Sequence, residues 1–315
     1  MHVCLAVLVS PPARRLPAPM KVLVTGATGF LGSRAARLFE ENGHEVVRLA
    51  RPGGAERVGA TAHVWRDAGD PAARELIAGC GAVLHFAGIP DPARAREDPA
   101  RAVRENAGTA LNLLEGCLEH GAGLVYPSTL RAALDPPPDP YAQSKRLGEE
   151  ACRLHEAPTL VVRLTSVYGP GQVAWEGATG AIASFAARAL ADEPIVIAGD
   201  PERSRDFVYV DDGLAAIEGL VAEGRWNETV LIASGRSTPL RTAAELVRDE
   251  AGSSSPIETP GGELPAGENE SYRAAPEAPL PLNLSLEEGI HRYVDWLTNH
   301  ATRPGMTRSN PTRGR

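Results

Sequence analysis

The chain is predicted to form a doubly wound α/β sheet with a smaller mixed α/β lobe after it, and three observations carry the prediction. A glycine-rich turn joins an apolar run to an amphipathic segment within residues 22–43. Short Val- and Leu-rich runs then alternate with helical segments up to about residue 170. Beyond that point the alternation weakens into four helical segments with only brief apolar runs between them.

Val22 to Val24 is the first strand, and SRAARLFEENG, closing on Gly43, reads as a helix with a glycine just past its end. EVVRLA (45–50), AHVW (62–65), AVLHFA (82–87), GLVYP (123–127) and TLVVRL (159–164) are apolar without strict alternation, the pattern of parallel strands covered on both faces. Helices are expected over Asp98–His120, with Leu111, Leu113, Leu114 and Leu118 toward one side, and over Tyr141–Glu156. Further helices are expected near 178–191, 211–223, 238–251 and 285–299, with strands near 195–198, 206–210 and 229–233. Residues 253–284 carry six prolines among Gly, Ser and Glu and read as a long irregular connection.

These elements divide the chain into a dinucleotide-binding part at 20–170 and a substrate-binding part, mainly 171–300. Residues 1–19 are expected to lie ahead of the fold as a disordered or non-native leader, with Met20 the expected start. Residues 301–315, polar and basic, read as a disordered tail.

A formal charge of -8 over 315 residues argues against nucleic acid as a partner, because phosphate-backbone binding needs clustered Lys and Arg. No run approaches the roughly 20 apolar residues of a membrane span. The four cysteines, Cys4, Cys80, Cys117 and Cys152, fit neither a zinc site nor a disulfide framework, so no metal is expected and the compartment is expected to be reducing and cytoplasmic. Of the 32 basic side chains only Lys21 and Lys145 are lysines, which draws attention to each.

Gly26, Gly29 and Gly32 give G-x-x-G-x-x-G between the first strand and its helix, where backbone N–H groups, with those of Phe30 and Leu31, can face a pyrophosphate at a helix N-terminus. A carboxylate at the end of the second strand would bond the ribose 2′-hydroxyl of NAD, whereas an arginine accommodates the 2′-phosphate of NADP. Here that strand ends Leu49-Ala50-Arg51, and Arg34 and Arg37 lie on the neighbouring helix. NADP is therefore the expected cofactor, with NAD as the alternative. Tyr141 and Lys145 form Y-x-x-x-K, one face of a helix, started by Asp139-Pro140. A phenol with an ordinary pKa near 10 needs a neighbouring cation to exchange protons at neutral pH, and Lys145 is placed to supply it.

TGATGFLG (25–32), HFAG (85–88), NAGTALNLLE (106–115), YPST (126–129), YAQSK (141–145), RLTSVYGPGQ (163–172) and RDFVYVDDG (205–213) occur in the order in which the extended short-chain dehydrogenase/reductases carry their motifs. The chain thus resembles that superfamily, the NAD(P)-dependent sugar-nucleotide epimerases, dehydratases and reductases on a Rossmann fold, from Met20 to Leu297. The resemblance implies Tyr141 as acid/base, Lys145 on the nicotinamide ribose and lowering the Tyr141 pKa, and Thr129 on the reacting oxygen, with Ser128 as runner-up. It also implies Asp67 on the adenine, Ala87 and Gly88 along the cofactor, and Asn106 near the active site, with a locally bonded polar residue inside a helix as the alternative for Asn106. Arg205 would meet the sugar-nucleotide diphosphate, or else pair with Asp206 or Asp211. Ser166 and Tyr168 would border the substrate, the tyrosine having packing at a strand end as its alternative. A homodimer through the two long helices is the further expectation.

Three departures limit the resemblance. Tyr141 follows Thr129 by only twelve positions, so the rim loop is cut back; Ser166 replaces a frequent Asn; and 253–284 matches no substrate motif. Leu130-Arg131 follow Thr129 where the 4,6-dehydratase branch has Asp-Glu, which speaks against dehydration. An NADPH-dependent 4-ketoreductase of a 4-keto (6-deoxy) sugar nucleotide is the leading expectation, and an NAD-dependent 4-epimerase the alternative. A non-catalytic dinucleotide sensor on the same fold would be expected to lose Tyr141 or Lys145.

Overall fold

A computed structural model describes residues 18–52, 63–176, 180–268, 270–272 and 284–300; the expected tail at 301–315, and all of the leader except Ala18 and Pro19, lie outside them. In chain order the first elements are β1 (Lys21–Thr25), α1 (Phe30–Glu41), β2 (Glu45–Ala50), β3 (Val64–Trp65), β4 (Ala82–His85), α2 (Pro92–Glu97), α3 (Pro99–Val103), α4 (Thr109–His120), β5 (Gly123–Thr129), α5 (Pro140–Leu154) and β6 (Thr159–Leu164). Then come β7 (Ser166–Tyr168), α6 (Ala181–Ala189), β8 (Ile195–Ala198), β9 (Ser204–Tyr209), α7 (Val210–Ala222), β10 (Glu228–Ile232), β11 (Ser237–Pro239), α8 (Leu240–Glu250), β12 (Ile257–Gly261) and α9 (Leu286–His300).

Asp-Pro pairs start four of the helical segments. Asp70, Asp91, Asp98 and Asp139 each accept a first-turn backbone N–H, and the proline that follows occupies a position whose own N–H would have had no partner.

The main sheet is parallel throughout, in the order β10-β6-β5-β4-β1-β2-β3. One face packs Val22, Val24 and Leu84 against α1 and α7, through Ala35, Phe39, Leu214 and Ile217. The other packs Leu23, Leu124 and Tyr126 against α4, through Leu113 and Leu114. Each fully buried leucine of these layers contributes roughly 1.5–3 kcal/mol by leaving water. A second core, around Tyr168, Phe207, Tyr293 and Ile195, belongs to the smaller lobe, where β11-β9-β7 and β12-β8 form two short sheets.

Asp98–His120 is one continuous helical run, as expected, capped by Asp98 and carrying a π-helical turn at Arg104–Gly108 between α3 and α4. Two expectations are corrected here. On α4, Leu111 and Leu118 point to solvent at 46% and 49% exposure while Leu113 and Leu114 are buried, so the four leucines do not share a face. The 253–284 stretch is not wholly irregular: Ile257–Gly261 is a strand parallel to β8. Residues 269 and 273–283 of it lie outside the described residues.

Candidate active site

The glycine turn lies at the C-terminal edge of the sheet, after β1. Gly26 has φ +66°, and a Cβ there would come within 2.7 Å of the Phe86–Ala87 peptide. A Cβ on Gly32 would overlap the Gly26 carbonyl oxygen, to which the Gly29 N–H donates at 2.8 Å. Gly29 caps α1 without a side-chain hydrogen bond, so the first-turn N–H groups of Phe30, Leu31 and Gly32 have no partner inside the helix. A tight turn that excludes side chains and opens onto an uncapped helix N-terminus fits a dinucleotide pyrophosphate.

Thr25 ties this turn to β4: its Oγ1 accepts from the Ala87 N–H at 3.2 Å and bonds His85 Nδ1 at 2.9 Å. His85 is held neutral, its pKa pushed down to about 3 by burial and then by the Lys145 charge. Gly88, at φ +137°, gives its would-be Cβ position to Asn106 Oδ1. Asn106, fully buried in the π turn, accepts from Ile89 N–H at 2.8 Å and donates to Ile89 O and Ser144 Oγ. It anchors the segment just past β4.

Of the three arginines that favoured NADP, Arg34 and Arg51 are paired with carboxylates. Arg34 makes a bidentate ion pair with Asp211 of α7, at 2.5 and 2.7 Å. Arg51, half exposed, donates from Nη1 to Glu105 Oε1 at 3.1 Å. Asp67, exposed just beyond β3, accepts the Gly69 N–H at 2.8 Å.

Thr129, the last residue of β5, accepts the Arg131 N–H at 3.3 Å and stands close to Tyr141, in the first turn of α5. Burial pushes the Tyr141 phenol up to about 12; Arg131 pulls it down, Asp139 pushes it up, and the Thr129 hydroxyl pulls it down again. The expected lowering by Lys145 is not seen. Its ammonium donates to the Pro127 carbonyl at 2.9 Å and lies 5.1 Å over the Tyr126 ring, and burial drives its own pKa down to about 8. Ser128 faces away from this pair, donating at 2.5 Å to Glu149, which also takes both arms of Arg163 at 2.9 and 2.6 Å. The substrate role expected for Ser128 is corrected: a buried ion pair holds its hydroxyl.

Arg205 pairs with neither Asp206 nor Asp211. Its guanidinium donates to the carbonyls of Ser204, Glu268 and Glu270, and it stacks on the Tyr272 ring at 4.8 Å. Arg131 lies over the same ring at 5.4 Å and pairs with Asp139 and Glu268; Arg96 reaches Glu268 at 3.3 Å. These neighbours were missed in the sequence because residues 253–284 resembled no motif. The cluster is nonetheless presaged by Leu130-Arg131, where an arginine replaces the acidic pair. Ser166 begins β7, half-buried beside Phe207 of β9.

Tyr168 is corrected as well. It is 3% exposed, stands edge-on to Phe207, Tyr209 and Tyr293, and donates to the Leu286 carbonyl, so it belongs to the lobe core and not to a rim. Cys80, Cys117 and Cys152 are free and buried. Among the described residues no cluster of His, Cys, Asp or Glu suits a metal, and no helix is long and apolar enough to cross a membrane.

The family model for the NAD dependent epimerase/dehydratase family matches residues 22–233. A putative UDP-glucose 4-epimerase of Methanocaldococcus jannaschii is 29% identical over 310 residues, covering 89% of this chain and 99% of that protein. A dTDP-4-dehydro-6-deoxy-D-allose reductase of Streptomyces bikiniensis is 30% identical over 241 residues, 66% of this chain and 74% of the other. The crystal structure of UDP-glucose 4-epimerase with UDP-glucose from Thermotoga maritima superimposes with a TM-score of 0.77 at 26% identity, covering 89% of this chain and 99% of that one.

Proposed function

The chain belongs to the NAD dependent epimerase/dehydratase family and is an NAD(P)-dependent enzyme of the extended short-chain dehydrogenase/reductase type, and from that premise we propose that it reduces the 4-keto group of a nucleotide-linked sugar. The observation that carries this reading is the Thr129–Tyr141 hydroxyl pair at the edge of the sheet that holds the glycine turn, with the phenol kept protonated by burial. A protonated phenol is the form that donates to an oxygen gaining negative charge. The Streptomyces reductase, which aligns over two thirds of this chain, supports the same direction.

Gly26, Gly29, Phe30, Leu31 and Gly32 would hold the pyrophosphate, with Asp67 on the adenine and Arg51 on an NADP 2′-phosphate. Bound nicotinamide would supply the hydride for the sugar carbon. Thr129 would orient the sugar oxygen by a hydrogen bond, Tyr141 would protonate it, and Lys145 would steady the cofactor ribose. The arginines at 96, 131 and 205, gathered on one segment, suit the diphosphate of the substrate. With Leu130 and Arg131 after Thr129, no carboxylate stands there to drive an elimination. A homodimer through α4 and α5 belongs to this reading, supported by Leu111, Leu118, Leu147 and Leu154 exposed on those helices.

Epimerisation at the same carbon is the second reading, favoured by the carboxylate partners of Arg34 and Arg51 and by the nearly full-length similarity to the Methanocaldococcus protein. One experiment separates the two. Freshly purified protein is denatured and any released nucleotide is identified by mass, and the remainder is assayed for NADPH oxidation with 4-keto sugar nucleotides. An empty protein that consumes NADPH supports the reductase; stoichiometric retained NAD with no NADPH consumption overturns it in favour of the epimerase.

A further inference from the structure

The geometry points to Glu105 as the residue that sets the preference between NADP and NAD, an inference that rests on the glycine turn holding a dinucleotide. In the sheet, β1 lies between β2 and β4. Arg51 leaves the end of β2, and Glu105 stands in the π turn whose next residue, Asn106, is bonded to Ile89 just past β4. The Arg51–Glu105 pair, 3.1 Å between Nη1 and Oε1, therefore spans the end of β1, the strand from which the glycine turn departs. A dinucleotide held by the glycine turn would lie at this end of the sheet.

The same Oε1 also takes Nε of Arg101 at 2.6 Å, one helical turn away. Burial pushes the Glu105 carboxyl up, but the hydrogen bonds and charges of Arg101 and Arg51 outweigh it and hold the group below the usual carboxylate range. Arg101 thus keeps the carboxylate charged and in place, while Arg51, with a 51% exposed side chain, is the partner free to leave.

NADP differs from NAD by one phosphate on the adenosine ribose. That phosphate competes with the Glu105 carboxylate for the Arg51 guanidinium, whereas NAD leaves the ion pair intact. Glu105 then discounts the affinity that Arg51 alone would give to NADP. Half-exposed ion pairs are weak, so the effect is a graded shift in preference and not a block.

The test is calorimetric titration of the full chain, stripped of nucleotide, with NADPH and with NADH. Glu105→Gln, nearly the same shape without the charge, should tighten NADPH about fivefold and leave NADH within about twofold. Arg51→Ala should weaken NADPH and leave NADH unchanged. Equal shifts for both nucleotides in Glu105→Gln, or none, would overturn the role of Glu105 while leaving dinucleotide binding standing. A wild-type chain that binds neither nucleotide would overturn the underlying reading as well.

Discussion

At the scale of single residues, the site combines a phenol that keeps its proton with an amine that loses its own early. Tyr141→Phe removes the proton donor while leaving the glycine turn untouched. Turnover is expected to fall by about 10²–10⁴-fold with nucleotide affinity nearly unchanged, as single-turnover kinetics and titration would register. Lys145 makes a prediction about stability. Its pKa is about 8 in the folded chain against roughly 10.4 when unfolded. Between those values the unfolded chain binds the extra proton, so stability rises with pH in that window. Lys145→Met should flatten the climb in the Tm of the ligand-free protein between about pH 8 and pH 10; parallel curves for variant and wild type would show that this amine is not desolvated. Tyr141 and Lys145 were legible in the sequence because their spacing places them within one helical turn. The actual partner of Lys145, the Pro127 carbonyl, was not, since it depends on how α5 settles against β5.

Among the elements, the strand–turn–helix unit β1–α1 does the most for the site, and local sequence was enough to read it. Glycines are demanded by the backbone itself at Gly26 and Gly32. Gly32→Ala drives a methyl into the Gly26 carbonyl and should cost about 1–3 kcal/mol in chemical denaturation while abolishing nucleotide binding. An alanine variant that binds with wild-type affinity would remove this turn from the cofactor site. The strands and most helices were likewise visible as apolar runs and turn signals. Less visible were the ion pairs that join elements far apart in the chain: Arg34 with Asp211 is separated by 177 positions and Arg51 with Glu105 by 54. A charged residue carries no sign of its partner until the sheet order brings the two together. Tyr168 shows the same limit for an aromatic ring, since edge-on partners on β9 and α9 decide between core and rim.

For the whole molecule, the strand order β3-β2-β1-β4-β5-β6 places the glycine turn, Asn106, Thr129 and Tyr141 along one edge, and that arrangement follows from right-handed crossovers between parallel strands. The exposed leucines on α4 and α5 give a prediction about assembly. Replacing Leu118 and Leu147 together with lysine should convert a dimer to a monomer in light scattering at micromolar protein without lowering the Tm of the monomeric fold; an unchanged mass would place any self-association elsewhere. The division near residue 170 is less simple than a boundary. After β6 the chain builds β7, β8 and β9 in the smaller lobe, comes back to lay α7 on α1 and β10 beside β6, and only then departs for β11, α8, β12 and α9. The lobe is therefore not a cassette. A recombinant exchange with a relative would need two separate stretches spliced in together, and a single-crossover chimera joined near 170 would draw the outermost strand of its main sheet from one parent and the strand it zips onto from the other.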